Sequence, residues 1–214
     1  MRRYRQKRFY NWSNDIAYLV GLIASDGCLY NDGRHIELTS VDIEQLENFC
    51  SALGRNIKIS EKKNGLKRNA FRVQFSDVAL YDFLQSIGLT ISKSKTIETL
   101  SIPQQYYPHF LRGLFDGDGS VFGYKDTRWK SSYMFYMQLV SASEMFMNWI
   151  SQMNSQYFGV KPIKPRLSGT VWQLSYAKRD TRILWLFMYA DEGALSLSRK
   201  RLKLEGFISA TKLV

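Results

Sequence analysis

Cysteine, histidine and proline are scarce in this chain. Its 214 residues include 2 cysteines, 2 histidines and 4 prolines. Cys28 and Cys50 provide neither a disulfide framework nor a Cys-x-x-Cys metal pair, so we expect a reducing compartment. His35 and His109 are far apart in the sequence and have no cysteine or acid at zinc-ligand spacing, which argues against a zinc site.

Long apolar runs are also missing. The longest run begins at Ile16 and is interrupted at Ser25 and Asp26, so it is too short to span a bilayer. The N-terminal residues are basic and lack the apolar core of a signal peptide. We therefore expect an intracellular protein without a membrane partner, located in a bacterial cytoplasm or in an organelle such as a mitochondrion or chloroplast. The chain also lacks a P-loop and the GxGxxG and GxSxG motifs.

Positive charge is in excess. There are 30 Lys and Arg residues against 19 Asp and Glu, which gives a formal net charge of +11. This balance favours a polyanionic partner, nucleic acid before membrane. The basic residues 1–13 form either a flexible arm that contacts phosphates or a solvated tail, and we favour the arm.

Two segments share one pattern. Residues 19–27 read LVGLIASDG and residues 111–119 read LRGLFDGDG. Leu, Gly, Leu and a final Asp-Gly recur at the same places, at a constant offset of 92 positions. A single Asp-Gly pair often does no more than end a helix, but two copies with the same preceding residues indicate a repeated structural unit.

The elements around each copy follow one order. Ser13 or Asn14 is expected to cap a helix that ends at Asp26, and we expect Gly27 to end it with a positive φ. Period-two alternation and turn signals predict strands at 28–31, 35–41, 57–60, 71–76, 121–124, 132–140, 161–167 and 171–176. Helical patterns predict helices at 15–26, 42–54, 78–87, 104–118, 143–158, 179–190 and 197–210.

The predicted fold class is therefore α+β, with two pseudo-symmetric αββαββα halves. The basic arm occupies residues 1–13, the first half residues 14–103 and the second half residues 104–214. A short polar segment at 90–103 connects the halves.

Small residues in the repeated helix predict how the halves meet. They lie four positions apart and so share one helix face in each copy, Gly21 with Ser25 and Gly113 with Gly117. Two such faces can pack closely, which would bring the two helix C-termini together with Asp26 and Asp118 at the junction.

Two carboxylates at that junction would repel each other, and each would also lie at the negative end of a helix dipole. A divalent cation would relieve both penalties, and ligands that are all oxygen suit Mg²⁺, with Mn²⁺ as a substitute. Acids that hold metal ions near phosphodiester bonds can activate water and stabilise leaving oxygens.

The segments LVGLIASDG and LRGLFDGDG resemble the two signature motifs of a single-chain LAGLIDADG homing endonuclease. The resemblance extends to the element order and implies metal-dependent cleavage of both strands of a long, imperfectly palindromic DNA site. It implies that Asp26 and Asp118 are the catalytic, metal-binding acids, and that Ser25 and Gly117 offer backbone carbonyls to the metal. It also implies paired four-stranded sheets that form a saddle over the DNA major groove. We expect a monomer.

The first motif departs from the family pattern. The sixth position is Asp116 in the second copy but Ala24 in the first, and the seventh position of the first copy is Ser25 instead of Ala or Gly. The sixth position is not the metal acid, so we expect the chemistry to survive. Ser25 is still small enough for close helix packing.

The family often places a lysine near the scissile phosphate late in each half. The resemblance implies catalytic roles for Lys93, with Lys95 as its neighbour, and for Lys200, with Arg199 as the alternative. A basic face that only attracts phosphates is an equally good interpretation of each.

Outward-facing residues of the sheets and their loops are the candidates for DNA contact. Arg, Lys and Gln side chains can read purine edges in the major groove, whereas basic loops mostly hold phosphates. The candidates in the first half are Glu37, Thr39, Lys58, Ser60, Arg72 and Gln74. Those in the second half are Tyr124, Gln138, Lys164, Arg166, Gln173 and Ser175.

Other functions remain open at this point. A nucleic-acid binder of the same fold could act as a transcription regulator, although a regulator that does not cut has no need of both acids. An intron maturase could keep both acids and bind intron RNA as well as double-stranded DNA.

Overall fold

The computed structural model describes residues 9–63, 69–125 and 133–210. The first half follows the predicted order of elements. It contains α1 (Asn14–Asp26), β1 (Gly27–Leu29), β2 (His35–Ser40), α2 (Ile43–Ala52), β3 (Ile59–Lys63), β4 (Asn69–Ser76) and α3 (Val78–Ser86).

The second half repeats that order after a connecting segment. The segment holds the short helix α4 (Lys93–Thr96) and a 3₁₀ turn (Gln104–Tyr106). The elements that follow are α5 (Tyr107–Asp118), β5 (Gly119–Lys125), β6 (Tyr133–Ser141), α6 (Glu144–Phe158), β7 (Arg166–Ser168), β8 (Val171–Ala177), α7 (Lys178–Met188) and α8 (Ser198–Ala210).

Each half contains one four-stranded antiparallel sheet, which confirms the predicted α+β class. The strand order is β1-β2-β4-β3 in the first sheet and β5-β6-β8-β7 in the second. The predicted alternation on β4 is confirmed, because Val73 and Phe75 are buried while Gln74 is exposed and Arg72 is half-buried. One face of each sheet therefore faces the core, and the other carries the predicted contact residues.

The repeated helices α1 and α5 form the centre of the molecule. A Cβ atom at Gly21 would overlap the carbonyl oxygen of Phe110 and lie 2.6 Å from the backbone nitrogen of Leu114. A Cβ atom at Gly113 would overlap the carbonyl oxygen of Tyr18. The two backbones thus touch directly, and the predicted packing of the two small-residue faces is confirmed.

Gly27 does not have the predicted positive φ, and its counterpart Gly119 has the same extended conformation. Gly27 has a φ of −82° and Gly119 a φ of −86°, both outside the left-handed region. Close approach is the reason for glycine here, since a Cβ atom would lie 2.7 Å from the Cα atom of Ile23 or of Phe115, respectively. The chain passes directly from helix to strand at both places.

Two element predictions were also wrong. The strand predicted at 161–167 is limited to β7, because Pro162 and Pro165 have no amide hydrogen to give to a ladder. The segment 90–103, interpreted as a polar connection, contains α4, which begins after Ser92 in a left-handed conformation with a φ of 57°. The segments that connect β3 to β4 and β5 to β6 lie outside the described residues.

The predicted N-terminal arm lies mostly outside the described residues too. Its described part packs where the two halves adjoin: Trp12 contacts Phe83 of the first half edge to face and stacks on Tyr106 of the second. The hydroxyl of Tyr10 donates a hydrogen bond to Asp77. Among the helices of the described ranges, none combines the length and apolarity that crossing a membrane requires.

Candidate functional site

The two acids of the repeated motif lie at one junction, where the ends of α1 and α5 meet. A Cβ atom at Gly117 would overlap the side chain of Ser25 and would lie 2.9 Å from Oδ2 of Asp26. Burial, together with the charge of Asp26, raises the pKa of Asp118 to about 6, although the charges of Lys93 and Lys200 oppose the increase. The glycine contact between the helices therefore brings together the two carboxylates that the sequence identified.

The surroundings of the two acids differ. The amide of Gln45 donates a hydrogen bond of 2.8 Å to Oδ2 of Asp26, and the hydroxyl of Ser40 orients that amide by donating to its oxygen at 2.9 Å. Burial raises the pKa of Asp26, but Gln45 opposes the increase. Within the described ranges, no side chain donates a hydrogen bond to Asp118. Asp118 is thus the less stabilised carboxylate of the pair.

Sequence reasoning missed Gln45. It lies on α2 and is only 2% exposed, among apolar residues that share its helix face. A buried glutamine in an amphipathic helix is an unusual polar residue for a core and was the one available signal. The signal gives no partner, because 19 residues separate Gln45 from Asp26.

Each acid has one buried lysine beside it. Lys93, on α4, donates from Nζ to the carbonyl oxygen of Ser25 at 3.2 Å. Lys200, on α8, donates from Nζ to the carbonyl oxygen of Gly117 at 2.7 Å and to that of Phe115 at 2.9 Å. Each lysine therefore binds the carbonyl of the residue that precedes the acid in its own half.

The electrostatics of the two lysines follow from this position. Burial lowers the pKa of Lys200 to about 8, although the nearby acids Asp116, Asp26 and Asp118 oppose the decrease. Burial also lowers the pKa of Lys93, against the opposing charges of Asp118 and Asp26. Both ammonium groups therefore lie within the field of both acids.

The neighbouring basic residues have different positions. Lys95 is exposed. Arg199 forms a bidentate pair with Asp42, with Nε and Nη2 donating at 2.9 and 2.6 Å to its two carboxylate oxygens. Of the four basic candidates, the geometry thus places Lys93 and Lys200 beside the acids, and their catalytic role stays a prediction.

The donor atoms at the junction suit a hard cation. The two carboxylates supply oxygen alone, as do the carbonyl groups of Ser25 and Gly117, although each of these carbonyls already accepts a hydrogen bond from a lysine ammonium group. In the part of the chain that the structure describes, no group of three or more His, Cys, Asp or Glu side chains forms a conventional metal cluster. An ion here would therefore need further oxygen ligands from water or from a substrate, which is the usual habit of Mg²⁺.

A buried polar network supports the second lysine. Oδ2 of Asp116 accepts hydrogen bonds from the hydroxyl of Tyr18 at 2.8 Å and from the backbone nitrogen of Leu197 at 2.7 Å. Arg112, which is 1% exposed, donates to the carbonyls of Leu195 and Met188. Asp116 therefore fixes the residue immediately before α8, the helix that carries Lys200.

The first half also holds the start of α8. Asn48 donates to the carbonyl oxygen of Ser196 at 2.9 Å, and Glu44 accepts hydrogen bonds from the backbone nitrogen and the hydroxyl of Ser198. Together with the pair of Arg199 and Asp42, these contacts anchor the second lysine to helix α2 of the other half. The contacts that hold the helix of Lys200 thus differ from those that hold the helix of Lys93.

The outward face of the first sheet is organised around Glu37. Its carboxylate is only 4% exposed and accepts from Lys62 at 2.6 Å, Tyr30 at 2.9 Å and Arg72 at 3.3 Å. Thr39 donates to the same carboxylate. Glu37, Thr39 and Arg72 therefore lie on the predicted face, but Glu37 holds the basic side chains in place and has little surface of its own to offer.

The outward face of the second sheet carries amides at its centre and a charged residue, Arg166, which pairs with Gln173. The amide of Gln138 donates to Gln173 at 3.0 Å and to Ser175 at 3.2 Å. Tyr124 is 47% exposed. The other predicted contact residues have these positions: Gln74 is exposed on β4, Ser60 is half-buried on β3, Lys58 is exposed before β3, Lys164 is exposed before β7 and Arg166 is exposed on β7.

Comparisons with known proteins address the fold. No family model matches the chain. An uncharacterised protein of Methanocaldococcus jannaschii is 27% identical over 116 residues, which are 51% of this chain and 40% of that protein. The chain therefore corresponds to well under two thirds of the length of this curated relative.

Solved structures align over nearly the whole chain. The LAGLIDADG meganuclease I-AabMI bound to uncleaved DNA is 15% identical, with a TM-score of 0.62 over 94% of this chain and 91% of that one. The homing endonuclease I-WcaI bound to its DNA recognition sequence is 14% identical, with a TM-score of 0.63 over 93% and 89%. Full-length WhiA from Thermatoga maritima is 16% identical, with a TM-score of 0.57 over 97% and 64%. This chain has the single-chain, two-domain LAGLIDADG fold.

Proposed function

We propose that this protein is a site-specific endonuclease that cuts both strands of a long DNA duplex with a divalent metal. One observation carries the proposal: two carboxylates from glycine-packed helices meet at one junction, and each has a buried lysine beside it. A junction that served only to pack two helices would have no use for two acids and two ammonium groups at the same point, because burying charges is costly.

Asp26 and Asp118 are the residues that would hold the metal, Mg²⁺ with Mn²⁺ as a substitute, together with the carbonyls of Ser25 and Gly117. When bound, the ion supplies activation of water and stabilisation of the leaving oxygen. The protein's own contribution is to bury the acids and to set one of them from each half at the place where two strands would be cut.

Lys93 and Lys200 would offset charge at the phosphates. The lowered pKa of both ammonium groups makes proton transfer at Nζ easier near neutral pH than for an ordinary lysine. Each Nζ atom is fixed by a backbone carbonyl of its own motif, but Lys93 interacts more strongly with the charge of Asp118 and Lys200 more strongly with that of Asp26, so each lysine acts on both acids.

The sheets would hold the duplex. The twelve predicted contact residues lie on the outward faces or on the loops beside them, and the net charge of +11 favours a polyanion. The meganuclease and the homing endonuclease described above were crystallised with DNA, which supports the same class of partner for this chain.

Incubation with a randomised duplex library and Mg²⁺, followed by mapping of the cut ends, tests the proposal. We expect defined, staggered ends at one site. Asp26→Asn and Asp118→Asn should each reduce cleavage by about 100-fold or more while leaving retention of the duplex largely intact. Asp15→Asn is the matched control, because Asp15 is exposed at the opposite end of α1.

Cleavage that survives both substitutions would overturn the proposed mechanism. Retention of DNA without any cutting by the unmodified chain would favour the second candidate, a DNA-binding protein that does not cut. The observation behind that candidate is that WhiA, which is not described as a nuclease, has the same fold. An intron maturase remains a further variant, and a splicing assay with the RNA of a host intron would test it.

A further inference from the structure

The two sheets can be compared position by position. Gly27 and Gly119 occupy the same place in the two motifs, and they pair with Leu38 and Leu139 respectively. The same strand order and register then match Glu37 with Gln138, Arg72 with Gln173, and Gln74 with Ser175. Any chemical difference between matched positions is therefore a difference in what each sheet offers to a bound duplex.

The first sheet offers charged hydrogen-bond donors. Lys62 and Arg72 both contact the carboxylate of Glu37, and Tyr30 joins them through its hydroxyl. These contacts hold the two basic groups on the outward face. Such donors recognise the acceptor atoms of guanine in the major groove.

The second sheet offers apolar rings in addition to a charged donor, Arg166, at the position matched with Ser60. Phe122 and Tyr124 on β5 are 41% and 47% exposed, and Tyr136 lies beside both on β6. The ring centroids of Phe122 and Tyr136 are 5.4 Å apart at 16°, and those of Tyr124 and Tyr136 are 6.2 Å apart at 10°. Three nearly parallel rings thus cover this part of the outward face.

The opposite face of the same sheet shows that these rings are not part of the core. Phe135, the neighbour of Tyr136 in sequence, is fully buried and stacks on Phe207 of α8 at 5.8 Å. Exposed neighbouring aromatic rings are costly for a soluble protein unless a partner covers them.

Duplex DNA is the partner that the charge and the position favour. The chain carries a net charge of +11, and β5 begins directly after Asp118. Phe122 and Tyr124 follow Asp118 by four and six residues, about 13–20 Å along a strand at about 3.3 Å per residue. At about 3.4 Å per base pair, that is about four to six base pairs from the acids.

Of the groups in the major groove, the thymine 5-methyl group suits an apolar ring. The edges of guanine, cytosine and adenine present hydrogen-bonding atoms there, and a ring would leave those atoms unsatisfied. Glutamine side chains suit adenine, the partner of thymine, and Gln138 and Gln173 lie on the same face.

We propose that the second sheet reads its half-site through thymine 5-methyl groups, which contact Phe122, Tyr124 and Tyr136, whereas the first sheet reads its half-site through charged donors. This inference rests on the proposed binding of duplex DNA. The inference predicts A·T pairs in the second half-site, about four to six base pairs from the centre of the site.

Replacing thymine by uracil tests the inference, because it removes only the methyl group. Duplexes that bind are first selected from a randomised library made with dTTP, and the selected site is then remade with uracil at single positions. We expect thymine to be enriched in one half-site, and each uracil there to weaken binding about three- to fivefold. Uracil in the other half-site should change binding less than twofold.

Variants show which sheet contacts which half-site. The half-site whose base preference changes with Arg72→Gln belongs to the first sheet. In Phe122→Ala or Tyr124→Ala, the uracil penalty at the contacted position should fall to nearly onefold, since the ring that meets the methyl group is gone. Tyr30→Ala, at the position matched with Phe122, should leave the full penalty in place.

The results that would overturn the inference differ from the result that would overturn the proposed function. A selected site without thymine enrichment, or equal binding of the uracil duplexes, would overturn the inference while leaving DNA binding intact. Failure to select any duplex would instead overturn the proposed function. Preferential binding of single strands, or a dimer that Phe122→Ala dissociates in sedimentation, would assign the rings to another partner and would also overturn the inference.

Discussion

In the first half of the molecule, an ionic cluster around Glu37 organises the outward face of the sheet, whereas in the second half amides and aromatic rings occupy the matched positions. The helix ends differ much less. Each contributes one acid, and each has one lysine on the carbonyl before that acid. The two halves are therefore alike at the junction of the helices, and they differ in the chemistry of their sheet surfaces.

The support behind the two lysines is a second contrast. Lys200 is on a helix whose start is fixed by Asp116, by Glu44 and Asn48 of α2, and by Asp42 at the N-cap of α2. Lys93 is on a helix of four residues, and Ala24 stands where the second motif has Asp116. The two ammonium groups thus occupy equivalent positions, although the helices that carry them are held by different contacts.

The largest expected effect concerns the shared junction. Gly21→Ala should destabilise the protein by about 3 kcal/mol or more, because the new methyl group would meet backbone atoms of α5 that cannot move aside. Urea unfolding measures the change. Gly206→Ala on α8 is the matched control, since nothing lies within 4 Å of its Cβ position, and it should stabilise by up to about 1 kcal/mol. Equal behaviour of the two variants would refute the direct backbone contact.

The next effect separates the two lysine scaffolds. Asp116→Ala should cost about 2–4 kcal/mol, because the buried hydroxyl of Tyr18 and the backbone nitrogen of Leu197 each lose their acceptor. Ala24→Asp should also destabilise, because Ala24 is only 8% exposed and a carboxylate at that buried position would be costly unless it were hydrogen-bonded. Urea midpoints at constant slope report both changes. A stabilising Ala24→Asp would show that the halves are more alike than their contacts indicate.

A smaller effect distinguishes the two acids by pH. The native pKa of Asp118 is raised to about 6 from 3.8, so the native state keeps a proton that the unfolded state has lost between these values. Stability of the metal-free protein should therefore fall as pH rises from about 4 to about 6. At pH 7, Asp118→Asn should raise stability by about 1–3 kcal/mol, and the gain should vanish below about pH 3.5.

Thermal unfolding across this pH range measures the gain. Asp15→Asn, at an exposed acid, serves as the control and should show no such trend. Addition of Mg²⁺ should stabilise the unmodified chain more than Asp118→Asn, because a ligand of the native state shifts the unfolding equilibrium. A gain that persists at acidic pH would contradict the assignment.

The smallest effect concerns Gln45. Replacement by leucine removes the hydrogen bond that opposes the raised pKa of Asp26, so that pKa should rise further. Titration of the carboxyl carbons by NMR in the metal-free protein reports it directly. Asp118, which has no such donor among the described residues, should change little. A fall in the pKa of Asp26 would show that Gln45 has another role.

Sequence patterns predicted most of the fold. The motif repeat, the glycine spacing and the alternation on the strands were sufficient for the two halves, their element order and the contact of α1 with α5. The errors came from local rules applied without context. Gly27 was expected in a left-handed conformation, but close approach to Ile23 is what excludes a side chain there.

The candidate site was predicted only in part. Asp26 and Asp118 stand out because they repeat, and Lys93 and Lys200 were named from the family resemblance. Gln45 could not be named, since its partner is remote in sequence and its own helix gives no reason for a polar side chain. The enclosure of Glu37 was equally hidden, because its strongest partner, Lys62, is on a different strand.

The sequence by itself determined the repeat. The repeat in turn gives two equivalent helices, each with small residues on one face and one acid at its C-terminal end. Those features are local, and helix and strand periodicity express them wherever the chain folds. Only the tertiary structure decided which lysines reach the acids, which acid keeps a hydrogen bond, and which sheet carries charge and which carries rings. These are contacts between residues far apart in the chain that form when each half folds, whereas the meeting of the two acids also requires the backbones of α1 and α5 to touch at Gly21 and Gly113.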